Sequence, residues 1–162
     1  MLYQMKDLLK LLDKDLKYID HVIYDNEMYI TAKSKRKEAK CPYCGKLSKN
    51  VHSYVERSLK DLPIQCKKVI IKLLSKKYFC KNTDCSKTTF SERFDFYEPK
   101  ATKTNRLQDE IIRVSLTQSS ISASRYLRKS VADVGKSTIC NLLKKGNAQC
   151  GYLYENNESM HR

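Results

Sequence analysis

The chain has no tryptophan, only four glycines and three prolines in 162 residues, and three histidines. So few glycines and prolines exclude a collagen-like or low-complexity chain. Scarce histidine leaves cysteine as the main source of soft metal ligands. Apolar runs are short, and none reaches the roughly 20 residues needed to span a bilayer. The first 20 residues, MLYQMKDLLKLLDKDLKYID, scatter acids among apolar side chains and do not read as a secretory signal. Acidic residues are also in deficit: 18 Asp and Glu against 32 Lys and Arg, a net charge of +14. The length suits one domain or two small ones and is short for a large enzymatic core.

Cysteine, by contrast, is plentiful, with seven in the chain. Cys41 and Cys44 lie in Cys-Pro-Tyr-Cys-Gly, and Cys80 and Cys85 lie in Cys-Lys-Asn-Thr-Asp-Cys. Two cysteines a few residues apart can grip one ion from a tight turn, and Zn²⁺ favours four tetrahedral thiolates. Gly45 suits such a turn because it tolerates positive φ. The odd cysteine count and the absence of a leader fit a reducing cytosol better than a disulfide framework, so a cytoplasmic location is expected. The alternative to zinc is a set of unrelated free thiols. His52 could replace one thiolate, but its alternating context also reads as an ordinary strand histidine. Cys66, Cys140 and Cys150 have no close partner in sequence, and Cys140 reads as a small buried apolar residue.

The positive charge is uneven. Residues 1–30 carry four basic and six acidic side chains, residues 31–94 carry 17 and five, and residues 95–162 carry 11 and seven. A basic block around a metal site is an electrostatic footprint for a polyanion, most often nucleic acid; a merely soluble Lys-rich surface is the other reading.

Periodicity divides the chain into segments and predicts an α+β fold. Residues 1–37 read as an amphipathic helix (Leu2, Met5, Leu8, Leu9, Leu12) and a β-hairpin, Tyr18–Tyr24 and Met28–Ala32 around Asp25-Asn26-Glu27. His21 reads as a strand-face residue, and Lys33–Lys37 as a phosphate contact or a solvated edge. Residues 38–94 read as a Cys₄ zinc ribbon with strands Tyr54–Leu59 and Val69–Phe79 and a turn at Asp61-Leu62-Pro63. Lys72, Lys76 and Lys77 are expected to present ammonium groups from one strand face. So small a module has little core, and its folding should depend on the metal.

Residues 95–146 read as all-helical. Asn105–Gln118 places Leu107, Ile111, Ile112, Val114 and Leu116 mostly on one side. Ser120 or Ser122 is expected to cap a second helix with Ala123, Tyr126 and Leu127 inward, and Ser137 to cap a third carrying Ile139, Leu142 and Leu143. With the Gly135 turn between them this is a helix-turn-helix pattern. On the third helix Lys136, Ser137, Thr138, Asn141, Lys144 and Lys145 would face DNA: Asn reads adenine, Thr meets a thymine methyl, and Lys neutralises phosphate.

These strings together resemble the N-terminal part of bacterial insertion-sequence transposases of the ISL-three type. The resemblance rests on Cys41-Pro42-Tyr43-Cys44-Gly45, Arg57–Pro63, Tyr78–Cys85 and Thr89-Phe90-Ser91-Glu92-Arg93. It implies zinc on Cys41, Cys44, Cys80 and Cys85, a ribbon followed by a helix-turn-helix, and recognition of double-stranded DNA at the terminal repeats of a mobile element. In that family a DDE catalytic domain follows. Here residues 147–162 form a tail after which the chain stops, so a truncated portion without catalysis is expected; Asp109, Glu110 and Asp133 read as helix and turn charges. A stand-alone regulator, binding as a homodimer, and a zinc-stapled RNA or protein module remain as other readings.

Overall fold

The computed structural model describes residues 2–117 and 119–144. The chain runs α1 (Leu2–Leu12), β1 (Leu16–Tyr24), β2 (Glu27–Ser34), β3 (Ala39–Lys40), β4 (Leu47–Ser48), β5 (Val51–Ile64), β6 (Lys67–Phe79), β7 (Thr89–Ser91), α2 (Asn105–Leu116) and α3 (Ser120–Ser130). A further helix, α4, spans 136–144. Helices and a mixed sheet together make the α+β class.

The main sheet has the order β1-β2-β6-β5, with β7 also pairing β6. β1 and β2 form the expected hairpin, and β5 and β6 a second, longer one. β2 runs parallel to β6, from Glu27 opposite Lys68 to Lys33 opposite Leu74. The expected division at residue 37 therefore passes through one continuous sheet. Alternation puts Met28, Ile30 and Ala32 on one face with Val69, Ile71, Leu73 and Leu59. Met5 and Leu9 of α1 cover that face, together with the aromatic group Phe94, Phe96 and Tyr97.

Asp61-Leu62-Pro63 lies inside β5, not at a turn. The chain reverses at Gln65 and Cys66, whose φ values are +49° and +61°. Pro63 is accommodated where the ladder slips between Asp61 and Ile64, because proline has no N–H to donate there. Asp61, 2% exposed, holds the helical segment against β5. It accepts from Thr104 Oγ1 at 2.7 Å and from Arg106 Nε at 2.8 Å, with Arg106 Nη2 as a second contact. Thr104 in turn caps α2 by accepting from the Leu107 amide. Backbone bonds join Lys60 N to Thr102 O and Thr104 N to Lys60 O, at 2.9 and 3.0 Å.

The three helices close on a second core of Leu107, Ile111, Val114, Ala123, Leu127, Val131, Ala132, Val134 and Ile139, against which Leu62 of β5 also packs. Several helical expectations change. Ser119, not Ser120 or Ser122, caps α3, since its side chain accepts from the Ser122 amide. α4 begins at Lys136, with Ile139 N donating to Gly135 O, so Ser137 lies in its first turn. Tyr126, expected inward, is 50% exposed, and Leu116 falls off the buried side of α2 at 69% exposed. Ser115 and Ser124 are buried instead, donating to the Ile111 and Val134 carbonyls.

Candidate metal centre and basic surfaces

The metal-holding turns grow from two short strand pairs. β3 and β4 flank Cys41–Gly45, where Gly45 N donates to Cys41 O at 2.8 Å and Cys41 N to Lys46 O at 2.9 Å. Gly45 has φ +74°, as the turn requires. The second turn leaves β6 and returns as β7; Cys80 N donates to Thr88 O and Cys85 N to Asn82 O. Tyr78 stacks on Phe90, and these two rings with Cys41 form the small core beneath the cysteines. Burial pushes the Tyr78 hydroxyl pKa up to about 12. Arg36 fixes the approach from the sheet: it pairs with Asp13 at 2.6 Å and Asp15 at 3.1 Å and lies over the Phe94 ring. Arg36 is thus a structural tie within the basic run Lys33–Lys37.

Cys41, Cys44, Cys80 and Cys85 converge, all four sulfurs lying within 4.8 Å of one another. Cys41 Sγ is 3.8 Å from Cys85 Sγ, and Cys44 Sγ 3.5 Å from Cys80 Sγ. Four thiolates at about 2.3 Å from one zinc, in tetrahedral array, stand about 3.8 Å apart. Donor set and spacing therefore fit a closed structural zinc site. Donation from the Lys46 amide, followed by the neighbouring thiols, holds Cys44 down at about 6. The Asn82 amide also favours the Cys80 thiolate, but burial and the crowded sulfurs outweigh it and push Cys80 up to about 12. A dication in the middle would remove that mutual repulsion. His52 lies outside this set: its Nδ1 is 2.8 Å from Ser53 Oγ, and its ring packs edge-on against Phe79. His21 Nδ1 meets Tyr18 OH at 2.6 Å, as a strand-face residue.

Residues 37–85 match the family model described as zinc-finger of transposase IS204/IS1001/IS1096/IS1165. The matched stretch holds all four converging cysteines and covers less than half of the chain. Comparisons of the chain with curated proteins and with solved structures found no match.

The expected nucleic-acid residues fall in three places. On α4, Lys136, Ser137, Asn141 and Lys144 are exposed and Thr138 half-buried, while Ile139 is buried; Lys145 lies outside the described residues. Lys72 is exposed on β6, its ammonium 5.3 Å from the centre of the Tyr29 ring, and Lys77 is half-buried. Lys76 turns inward, its ammonium donating to the Arg36 carbonyl and its amide to Glu92 Oε1 at 2.6 Å. It is therefore occupied within the fold. Sequence reasoning passed over Arg125, Arg128 and Lys129 of α3, which with Lys136 line an open cleft of about 440 Å³. Their i, i+3, i+4 spacing on the polar side of an amphipathic helix was the available signal. Among the described residues, no helix is long and apolar enough to cross a membrane.

Proposed function

We propose that this chain binds double-stranded DNA as the end-recognition part of a transposase, with Zn²⁺ on Cys41, Cys44, Cys80 and Cys85 as a structural staple. The observation that carries the reading is the match of residues 37–85 to a transposase zinc finger whose four cysteines converge here with zinc-like spacing. The helical segment supplies the second part. α3 and α4, joined by residues 131–135, act as a helix-turn-helix in this reading, with α4 entering the major groove. Asn141 and Thr138 then meet base edges, while Lys136, Lys144, Arg125, Arg128 and Lys129 meet phosphates.

The reading assigns no strand transfer to this chain. Glu110 bonds Arg113 at 2.7 and 2.8 Å, and Asp133 bonds Lys68 at 2.9 Å, so both serve as ion-pair partners. The targets are the terminal repeats of a mobile element. Selection of bound duplexes from a random pool by zinc-loaded protein tests this, with an enriched motif of about one helical turn or more expected. A palindromic motif would identify a homodimer, and a single asymmetric one a monomer. Tight, salt-sensitive binding with no enriched motif would contradict end recognition.

A further inference from the structure

The face of the main sheet turned away from α1 carries an ordered line of lysines. Register fixes their neighbours. Lys17 of β1 pairs with Lys33 of β2, Lys33 with Leu74 of β6, Lys72 of β6 with Thr31 and Ser58, and Lys60 of β5 with Ile70. All four alternate with core residues (Leu16, Ala32, Ile71 and Leu73, Leu59), so they share the outer face. Adjacent strands stand about 4.8 Å apart, and diagonal neighbours about 7–8 Å. Lys17 and Lys33 therefore stand side by side, and Lys33, Lys72 and Lys60 step diagonally across β2, β6 and β5. Lys103, bridged in parallel to Lys60, extends the line beyond the sheet edge.

These five cations are unneutralised. Among the described residues none of them forms a salt bridge. The nearby acids are largely engaged: Glu27 accepts from Tyr29 OH at 2.6 Å, and Asp133 pairs with Lys68. Asp20, opposite Thr31, and Glu56, opposite Leu74, stand on the two outer strands and flank the line. Burial, and then the charge of Lys60, hold the Lys103 ammonium below its ordinary pKa. Like charges packed this closely favour an anion laid along them. The line also leads toward the helical segment. Val131, Ala132 and Asp133, just beyond α3, line one cleft with Ser58, Lys60 and Lys68, and Asp133 pairs with Lys68 at 2.9 Å, so the end of α3 adjoins the Lys60 end of the line.

We infer that this lysine diagonal is a phosphate track, along which the backbone of a DNA duplex crosses the outer face of the sheet as far as the cleft under residues 131–133 and continues onto α3 at Arg128. The inference rests on the duplex-binding reading above and adds a second contact surface to it, one that reads no sequence. Hydroxyls of Thr31 and Ser58 beside Lys72 supply further donors to phosphate oxygens.

The test compares wild-type protein with Lys33→Gln/Lys60→Gln/Lys72→Gln, both zinc-loaded, on one selected duplex and one random duplex across a salt series. Each phosphate contact contributes about 0.9 to the slope of log Kobs against log salt. The track predicts a slope shallower by about 2.7 on both duplexes, with the same preferred sequence and an unchanged melting temperature. Lys10→Gln, on α1 and paired with Asp7, should leave the slope at the wild-type value. A triple variant with the wild-type slope would overturn the track while leaving duplex binding standing, and would leave an acidic protein as the better fit to this face. Wild-type protein that binds no duplex at low salt would overturn both readings.

Discussion

The metal end and the helical segment solve the same problem by opposite means. Around the four cysteines the core amounts to Tyr78, Phe90 and Cys41, and the strands β3, β4 and β7 are two or three residues long. Nine buried apolar or small side chains hold α2, α3 and α4 together without a ligand. A cross-link that is worth roughly 10–16 kcal/mol in small zinc peptides replaces apolar burial in the first region. In the second, burial alone suffices at about 25 cal/mol per Å². The sheet between them belongs to neither, because β5 and β6 pair along most of their length and face the α1 core. The expectation that residues 38–94 unfold as a block without metal thus narrows to the turns at 37–50 and 80–91.

Two substitutions break the comparison most strongly. Cys80→Ala removes one thiolate, so zinc content should fall toward zero and the Tyr78–Phe90 stack should lose its near-UV dichroism, while helical signal persists. Ile111→Ala should do the reverse: about 2–5 kcal/mol lost from the helical segment in denaturant titration, with one zinc per chain retained. If either change collapsed both regions together, the division would be wrong.

Asp61→Ala addresses the joint. Removing a buried carboxylate that serves Thr104 and Arg106 should cost about 2–3 kcal/mol and split one unfolding transition into two. Differential scanning calorimetry would show this, and a single sharp transition of unchanged width would deny Asp61 its role as a clamp.

The two regions should also differ on DNA. Asn141→Ala is expected to cost about 1–3 kcal/mol on the selected duplex and little on random sequence, whereas Lys77→Ala weakens both alike. Equal losses on both duplexes for Asn141→Ala would remove it from base readout.

The smallest effect concerns Glu92, which accepts from Ser34 Oγ at 2.7 Å and from the Lys76 amide, between sheet and metal end. Burial raises its carboxyl pKa above the ordinary range. A group raised on folding adds stability below its unfolded pKa, and that contribution is lost as pH rises through the folded value. Glu92→Gln should therefore flatten the fall in stability on going from acid toward neutral pH. An identical pH profile would show that Glu92 does not titrate in that range.

Local signals were legible where the chemistry was local. The cysteine spacing, the first hairpin and the apolar stripe of α2 all needed only neighbours in sequence. What escaped depended on distant partners. The parallel pairing of β2 with β6 joins residues about 40 apart, and no periodicity encodes it. Asp61-Leu62-Pro63 has turn composition, yet Asp61 is held in a strand by Thr104 and Arg106, and Leu62 by the helical core. Tyr126 sits three residues after Ala123, at helical spacing, but faces out, because Ser124 takes the inward place by bonding the Val134 carbonyl. Lys76 looked like its surface neighbours, and only the fold shows the Arg36 carbonyl it serves.

Amide hydrogen exchange of the full chain with and without a strong chelator tests the central contrast most directly. Protection should disappear at 37–50 and 80–91 while amides of β5, β6, α2 and α3 keep theirs. Loss of protection throughout the sheet and helices on zinc removal, or no loss anywhere, would contradict it.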